Sequence, residues 1–580
     1  MFRIPNAKQF TVDNESMARG NVYETFNVMF DADKGRIKLN PPLLNALSTV
    51  DDMGFIAPTF IITTNSTTHG LDTYILTNLP GAGSSGVWSL INKAFIGTSN
   101  APQNAGPLDS SMCMFNTYLC VSDEDGLHYV ESQANLPAGV WVLNTTAALK
   151  HNYIMFQFVT GKMYFFSTYA IASADFTPPT TWTVATSGAY TQAINSFFGG
   201  ITCACQGADT IWYATESYPY TKENKSYIYK WDGIAVNPIG KYLIPVRKIQ
   251  AIVTLDNIPV AIDDRGRLWF YDGYTFKLKD GARIPAREDD FNAQTCYVHR
   301  NGMLSNKGKI YVLVGSGTAT KNTTERALSG IWCYDPAIGF YHYSSPDNCS
   351  QIITPYALAL GQTENTFIAG VQTGLTSVTG VDRVSVTEQL DILTGTTRTG
   401  FITTQFLESK NLTDMFTNIG IKYRKMIDSG AKIEVKYRTW KNVECNGTIT
   451  FTGATTFTVP TATLDGTSVY CTPVAIGDEM MVQSGANAGL IAHITNRVDS
   501  AGTSTITIDR NATLTSGTAY ALFCNYILAG TITNDGDTLR STAVGMPSTM
   551  LQVKVVLSWK GYYDELQEIM IPEKLNETTL

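Results

Sequence analysis

Apolar and polar residues alternate with period two along most of this chain, most plainly in three stretches. Residues 227–233 read YIYKWDG, 268–273 read LWFYDG and 331–336 read IWCYDP. Side chains two apart on a strand share a face, so each stretch predicts an aromatic-rich strand entering an Asp-Gly or Asp-Pro turn. Another alternating stretch follows each of them, at 234–239, 274–278 and 338–343. Asp232 and Asp272 lie 40 residues apart, the size of one four-stranded propeller blade. Asp335 follows after 63 more, with room for a polar excursion near 316–329. Further strands with turn residues between them fall at 60–64, 114–121, 162–172, 248–254 and 366–370. No segment keeps a helical period beyond two or three turns. At roughly 45–60 residues per blade the region holds six or seven blades, and six is the expectation. Trp231, Trp269 and Trp332 then occupy corresponding blade-core strands.

The texture changes after Arg383. Residues 418–440 read NIGIKYRKMIDSGAKIEVKYRTW, two strands about a turn at Asp428. Ile421, Tyr423 and Ile427 share one face of the first strand, with Lys422 and Arg424 on the other. In the second, Ile433, Val435 and Tyr437 face inward, while Lys432, Glu434, Lys436 and Arg438 face outward. Residues 551–559, LQVKVVLSW, repeat the alternation. Regular alternation of this kind predicts an antiparallel sheet with one wet face, here part of a β-sandwich. Between these strands lies a Thr- and Gly-rich, charge-poor insert that predicts a small nested barrel in a sandwich loop. The expected organisation is all-β: an N-terminal arm at 1–19, an irregular propeller at 20–385, a sandwich at 386–445 and 540–575, and an inserted barrel at 446–539.

Length and composition agree with several ordered domains. The chain has 580 residues, 44% of them hydrophobic and 16% charged, with 47 glycines. A net charge of −8 argues against a protein that coats nucleic acid. The opening MFRIPNAKQ has no apolar stretch of signal-peptide length and no run is long enough to span a bilayer, so folding in a cytosol is expected. The ten scattered cysteines then read as buried free thiols.

Candidate chemistry is sparse. The six histidines show no metal-ligand spacing, and His342 and His493 alternate with apolar residues as structural histidines do. Asp31-x-Asp33-x-Gly35 lacks the remaining ligands of a calcium loop and reads as a turn. The carboxylates at 123–125 and 288–290 read as solvated turns. No nucleophile elbow, phosphate loop or dinucleotide fingerprint is present. The expectation is therefore no enzyme activity, no cofactor and no metal. One charge pattern rises above background: Lys422, Arg424, Lys432, Lys436 and Arg438. It reads either as a solvated edge or as a face that docks on an acidic neighbour or passing nucleic acid.

The residues already quoted carry a resemblance. Residues 173–182, SADFTPPTTW, resemble the Asp-box turn of sialidase-like propellers, with Trp182 as the bracing aromatic two positions further on than in that family and Thr177 in place of its Gly. The opening NVMFDADKGRIKLNP, the irregular propeller, the 419–440 hairpin and the closing QVKVVLSWKG together resemble bacteriophage tail β-propeller proteins over about residues 21–572. That resemblance implies a structural virion protein: a multi-copy tail hub, or a nozzle of a short-tailed phage, prolonging the DNA-ejection channel. It implies a cyclic homo-oligomer, taken as a hexamer, in contact with other tail and portal-adaptor proteins and with DNA in transit. Assembly would take place in the bacterial cytoplasm. The nested barrel departs from that family's pattern. Two other function classes stay open: a receptor- or glycan-binding tail module, and a propeller-type glycan hydrolase.

Overall fold

The three Asp-turn strands are the third strands of three consecutive four-stranded sheets in a computed structural model of the chain. The description covers most strands and tight turns between residues 2 and 571. Outside it lie, with some shorter turns, residues 5–21, 46–57, 78–85, 103–109, 132–139, 185–198, 218–223, 285–297, 316–328, 345–351, 374–382, 390–397, 409–415, 439–444, 466–473 and 572–580. The carboxylates at 288–290 and the turn at Asp428 fall there, as does the side chain of Trp182.

Among the described residues, seven four-stranded sheets form a ring. Six come from continuous segments: 60–95, 111–144, 154–184, 201–244, 249–283 and 303–344. The seventh combines Ile352–Leu360, Phe367–Thr373 and Arg383–Gln389 with Leu43–Asn45 from the other end of the chain. First strands of successive sheets lie side by side, and Ile352–Leu360 returns to Phe60–Ser66, closing the circle. This is a β-propeller, with seven sheets where six blades were expected. The difference arises because the last blade borrows a strand from before residue 46, and because blade lengths vary too much for the Asp turns to keep a period.

Inter-blade cores hold the ring. Trp231 packs with Tyr164 of the third blade, Trp269 with Trp212 of the fourth, and Trp332 with Phe270 of the fifth. Each is almost wholly buried, at 3%, 7% and 3% exposure. All three thus face the preceding blade from the third strand of their own. The Asp that follows closes the turn: Asp232 Oδ1 accepts from the Ile234 and Ala235 N–H groups, and Asp272 Oδ1 from those of Tyr274 and Thr275.

Two six-stranded sheets pack against one another beside the sixth and seventh blades and share a core with them. The outer sheet runs Val28–Asp31, Arg36–Leu39, Leu566–Ile571, Phe416–Tyr423, Leu539–Ser548, and Phe2–Ile4 adds to Leu566–Ile571. The inner sheet runs Val22–Phe26, Arg398–Thr404, Met550–Trp559, Lys432–Arg438, Ile527–Thr533, and Leu407–Glu408 adds to Met550–Trp559. Strands between residues 22 and 39 therefore belong to the sandwich, not to a propeller beginning at 20, and part of the expected arm is a paired strand. His342 joins the bodies: its N–H donates to Thr25 Oγ1 at 2.9 Å, and its Nδ1 accepts from the Asn27 N–H at 3.1 Å. Asn40 Nδ2 donates to the Tyr343 carbonyl at 2.7 Å.

The insert closes as a six-stranded barrel of Cys445–Phe451, Thr456–Pro460, Thr503–Ile508, Ile491–Ser500, Glu479–Gly485 and Gly517–Cys524. It ends at Cys524 instead of 539, because Ile527–Thr533 and Leu539–Ser548 return to the two sandwich sheets. Ile449, Phe457, Met480, Ile506 and Phe523 fill its interior.

Candidate functional site at the sheet–barrel junction

The two central strands of the inner sheet, Lys432–Arg438 and Met550–Trp559, are buried on both faces. Odd-numbered Ile433, Val435, Tyr437, Val553, Val555 and Leu557 enter the sandwich core. Even-numbered residues face the other way, where Glu434 pairs in register with Val556, Lys436 with Lys554 and Arg438 with Gln552. That second face carries the nested barrel. Lys436 is fully buried and Glu434 and Arg438 nearly so. The expected outward basic face is therefore an internal seat. Lys422 is exposed on the outer sheet, Arg424 is exposed just past its strand, and Lys432 is half-buried at the seat's edge. The five cations do not form one surface, because Lys422 and Arg424 stand on a different sheet from the other three.

Glu479, the first residue of a barrel strand, is the hub of the seat. Its Oε2 accepts from Lys436 Nζ and its Oε1 from Lys554 Nζ, each at 2.6 Å. Burial alone would raise this carboxyl, but the two lysines outweigh it and hold it well below the usual glutamate range. Two lysines directly opposite one another would repel; one carboxylate bridging both removes the conflict. Lys554 Nζ also lies 3.7 Å from the centre of the Phe401 ring, which supplies a second favourable electrostatic contact.

Glu434 gathers a second set. Lys432 Nζ donates to its Oε1 at 2.5 Å, Lys436 lies 3.4 Å from Oε2, and barrel residues His493 and Arg510 approach to 3.4 and 3.9 Å. Burial again raises this carboxyl, Lys436 and His493 lower it, and the net direction is down. Arg510 Nη1 also donates to Thr399 Oγ1 at 3.1 Å. At the third register pair, Gln552 Oε1 accepts from Arg438 Nε and from the Tyr526 hydroxyl, while Gln552 Nε2 donates to the Thr404 carbonyl. Phe26, Phe401, Met481 and Val556 provide an apolar patch beside the ions.

Chemically this is a docking device. Buried ion pairs contribute little net stability against an apolar alternative, but breaking one side leaves an uncompensated charge, so they select one register and one orientation. Glu479, Lys554 and Arg510 were not singled out from sequence, and His493 was read there only as a structural histidine. The available signal was Lys554 inside the apolar LQVKVVLSW, a buried-looking position that needs a counter-charge.

A second cluster lies in the second blade, where ligand atoms of Asp123, Asp125 and His128 fall within 4.8 Å of one another. Asp123 and His128 are buried and Asp125 half-buried, so the 123–125 carboxylates are not a simple solvated turn.

No family model matches this chain and no curated protein matches it. Among solved structures it is similar to the computationally designed protein Ika8, at 10% identity over 63% of this chain and 99% of that one, with a TM-score of 0.34. It is also similar to the Dos1 propeller, at 8% identity over 64% and 94% with a TM-score of 0.36. A streptogramin B lyase follows at 11%, 57% and 87%, with a TM-score of 0.31. Likeness this distant carries no inference about activity. No helix among the described residues is long and apolar enough to cross a membrane.

Proposed function

We propose that this chain is a structural component of a bacteriophage tail, present in several copies around the tail axis as a hub or nozzle through which DNA leaves. The resemblance in the opening hairpin and the sandwich strands supplies the prior. The observation that carries the reading is how the chain is tied together. Phe2–Ile4 pairs with Leu566–Ile571 beside the C-terminus, residues 22–39 complete both sandwich sheets, and Leu43–Asn45 closes the propeller. Strands from the two ends of the sequence tie the sandwich and the propeller into one unit, which suits a part that transmits force without rearranging.

The contact between copies is not the basic seat, which the barrel already occupies. The outer strands and third-to-fourth turns of the fourth and fifth blades fit that role better. Ile234, Ile239, Leu243, Tyr274 and Leu278 are exposed there, Tyr274 by 89%. Tyr242 and Tyr271 bridge the two blades, with hydroxyls 3.0 Å apart. Exposed Lys241, Lys277 and Lys279 lie among them, with Asp272 paired to Lys277 at 2.7 Å, so the patch is apolar with charges of both signs. The occupant proposed for it is a second copy of this chain. Phages carrying Leu243→Lys with Tyr274→Lys are expected to accumulate incomplete tails while the purified variant keeps its β circular dichroism spectrum. Normal virions from a phage deleted for this chain would refute the reading.

A further inference from the structure

The turns after the second strands of the second and fifth blades are the same device with opposite charge. In the fifth blade Asp263 leads the sequence Asp263-Asp264-Arg265-Gly266-Arg267-Leu268-Trp269. Its Oδ1 accepts the N–H groups of Arg265 and Arg267, and its Oδ2 accepts Arg267 Nε at 2.8 Å and Trp269 Nε1 at 2.9 Å. The carboxylate is fully buried, and a guanidinium from its own turn compensates it.

In the second blade the corresponding sequence is Asp123-Glu124-Asp125-Gly126-Leu127-His128-Tyr129. Asp123 Oδ1 again accepts two turn N–H groups, from Asp125 at 2.9 Å and Gly126 at 3.2 Å. Here, however, Asp125 and Leu127 stand where the fifth blade has its two arginines. Asp123 is fully buried, and its Oδ2 has no hydrogen-bond partner among the described residues. A buried carboxylate oxygen in that state needs a positive centre.

His128 sharpens the requirement. Its Nδ1 lies 2.8 Å from the Asn100 carbonyl oxygen, which can only accept, so Nδ1 carries a proton. On the other side of the ring, Nε2 lies 3.0 Å from Asp123 Oδ1. With a carboxylate oxygen of Asp125, ligand atoms of all three side chains lie within 4.8 Å of one another, close enough to converge on one ion. Ligands about a metal with bonds of roughly 2.0–2.2 Å sit about 3–3.5 Å apart, so little movement is needed.

We propose that Asp123, Asp125 and His128 bind one divalent transition-metal ion of the Zn2+ or Mn2+ class. One imidazole nitrogen with carboxylate oxygens suits these ions better than Ca2+ or Mg2+, which prefer all-oxygen shells. Half-buried Asp125 leaves the outer side of the ion open to water. The ion takes the place that Arg267 holds in the fifth blade and fastens the turn to the Asn100 segment from the first blade.

The test is calorimetric titration of chelator-treated full-length protein with ZnCl2 and, separately, MnCl2. One equivalent of at least one ion is expected to bind and raise the melting temperature. Asp125→Asn keeps the backbone donor to Asp123, and it should weaken binding by more than about 100-fold, so that neither salt raises the variant's melting temperature above its own metal-free value. His128→Gln provides a second loss of binding. No binding to the folded wild-type protein would overturn the proposal and leave a protonated His128 as the positive centre. Binding that survives both substitutions would place the ion elsewhere and overturn it equally.

Discussion

At the scale of single residues, Glu479 and the blade tryptophans answer to different physics. Glu479→Gln leaves Lys554 buried without a counter-charge and Lys436 with only the more distant Glu434, and is expected to cost about 3–5 kcal/mol in unfolding by denaturant. The acid dependence has a definite sign. Because the folded-state carboxyl lies below its unfolded value, its contribution is present at and above about pH 5. It is lost as pH falls through the depressed value. Melting curves of the wild type should therefore decline below about pH 4, and those of Glu479→Gln should decline less. Trp231→Ala and Trp332→Ala remove large side chains from inter-blade cores and are expected to cost about 3–5 kcal/mol each. Cys203 and Cys333 are buried, which pushes each thiol up to about 12. Neither should react with a thiol reagent at pH 8 until the protein unfolds.

At the scale of elements, alternation was informative about faces and silent about what covers them. The inward assignment of Ile433, Val435, Tyr437, Val553, Val555 and Leu557 agrees with the sandwich core. The opposite face was read as wet because period two distinguishes two faces without saying whether the polar one meets solvent. Only the fold shows that the segment between Cys445 and Cys524 comes back to sit on it. Blade strands were legible because each buries one face and ends in a turn with its own chemistry. The blade count was not, because strand pairing between Leu43–Asn45 and Arg383–Gln389 leaves no local trace. That pairing is open to test. Deleting residues 1–45 removes the closing strand of the seventh blade and the strands at one edge of each sandwich sheet. The truncated protein should be degraded by protease at concentrations that leave the full chain intact, and an equally resistant truncation would show the closure to be dispensable.

At the scale of the whole molecule, the propeller, the sandwich and the barrel are joined by contacts of three kinds. His342 and Asn40 fasten the sandwich to the sixth blade through hydrogen bonds. A shared apolar core continues from that blade into both sandwich sheets. Buried charge seats the barrel. The site chemistry was the least legible part, since Lys436 and Glu479 are 43 residues apart in sequence and meet only in three dimensions. Under the proposed reading, a chain so thoroughly cross-tied works as a rigid building block, and the exposed edge of the fourth and fifth blades is where it would meet a neighbouring copy. Electron microscopy of the purified full-length protein tests this multi-copy tail reading most directly. Closed rings with an open axis, lost in the Leu243→Lys, Tyr274→Lys variant, are the expected result; a protein that stays monomeric at every concentration, and sits as a single copy at the tail tip in virions, would contradict it.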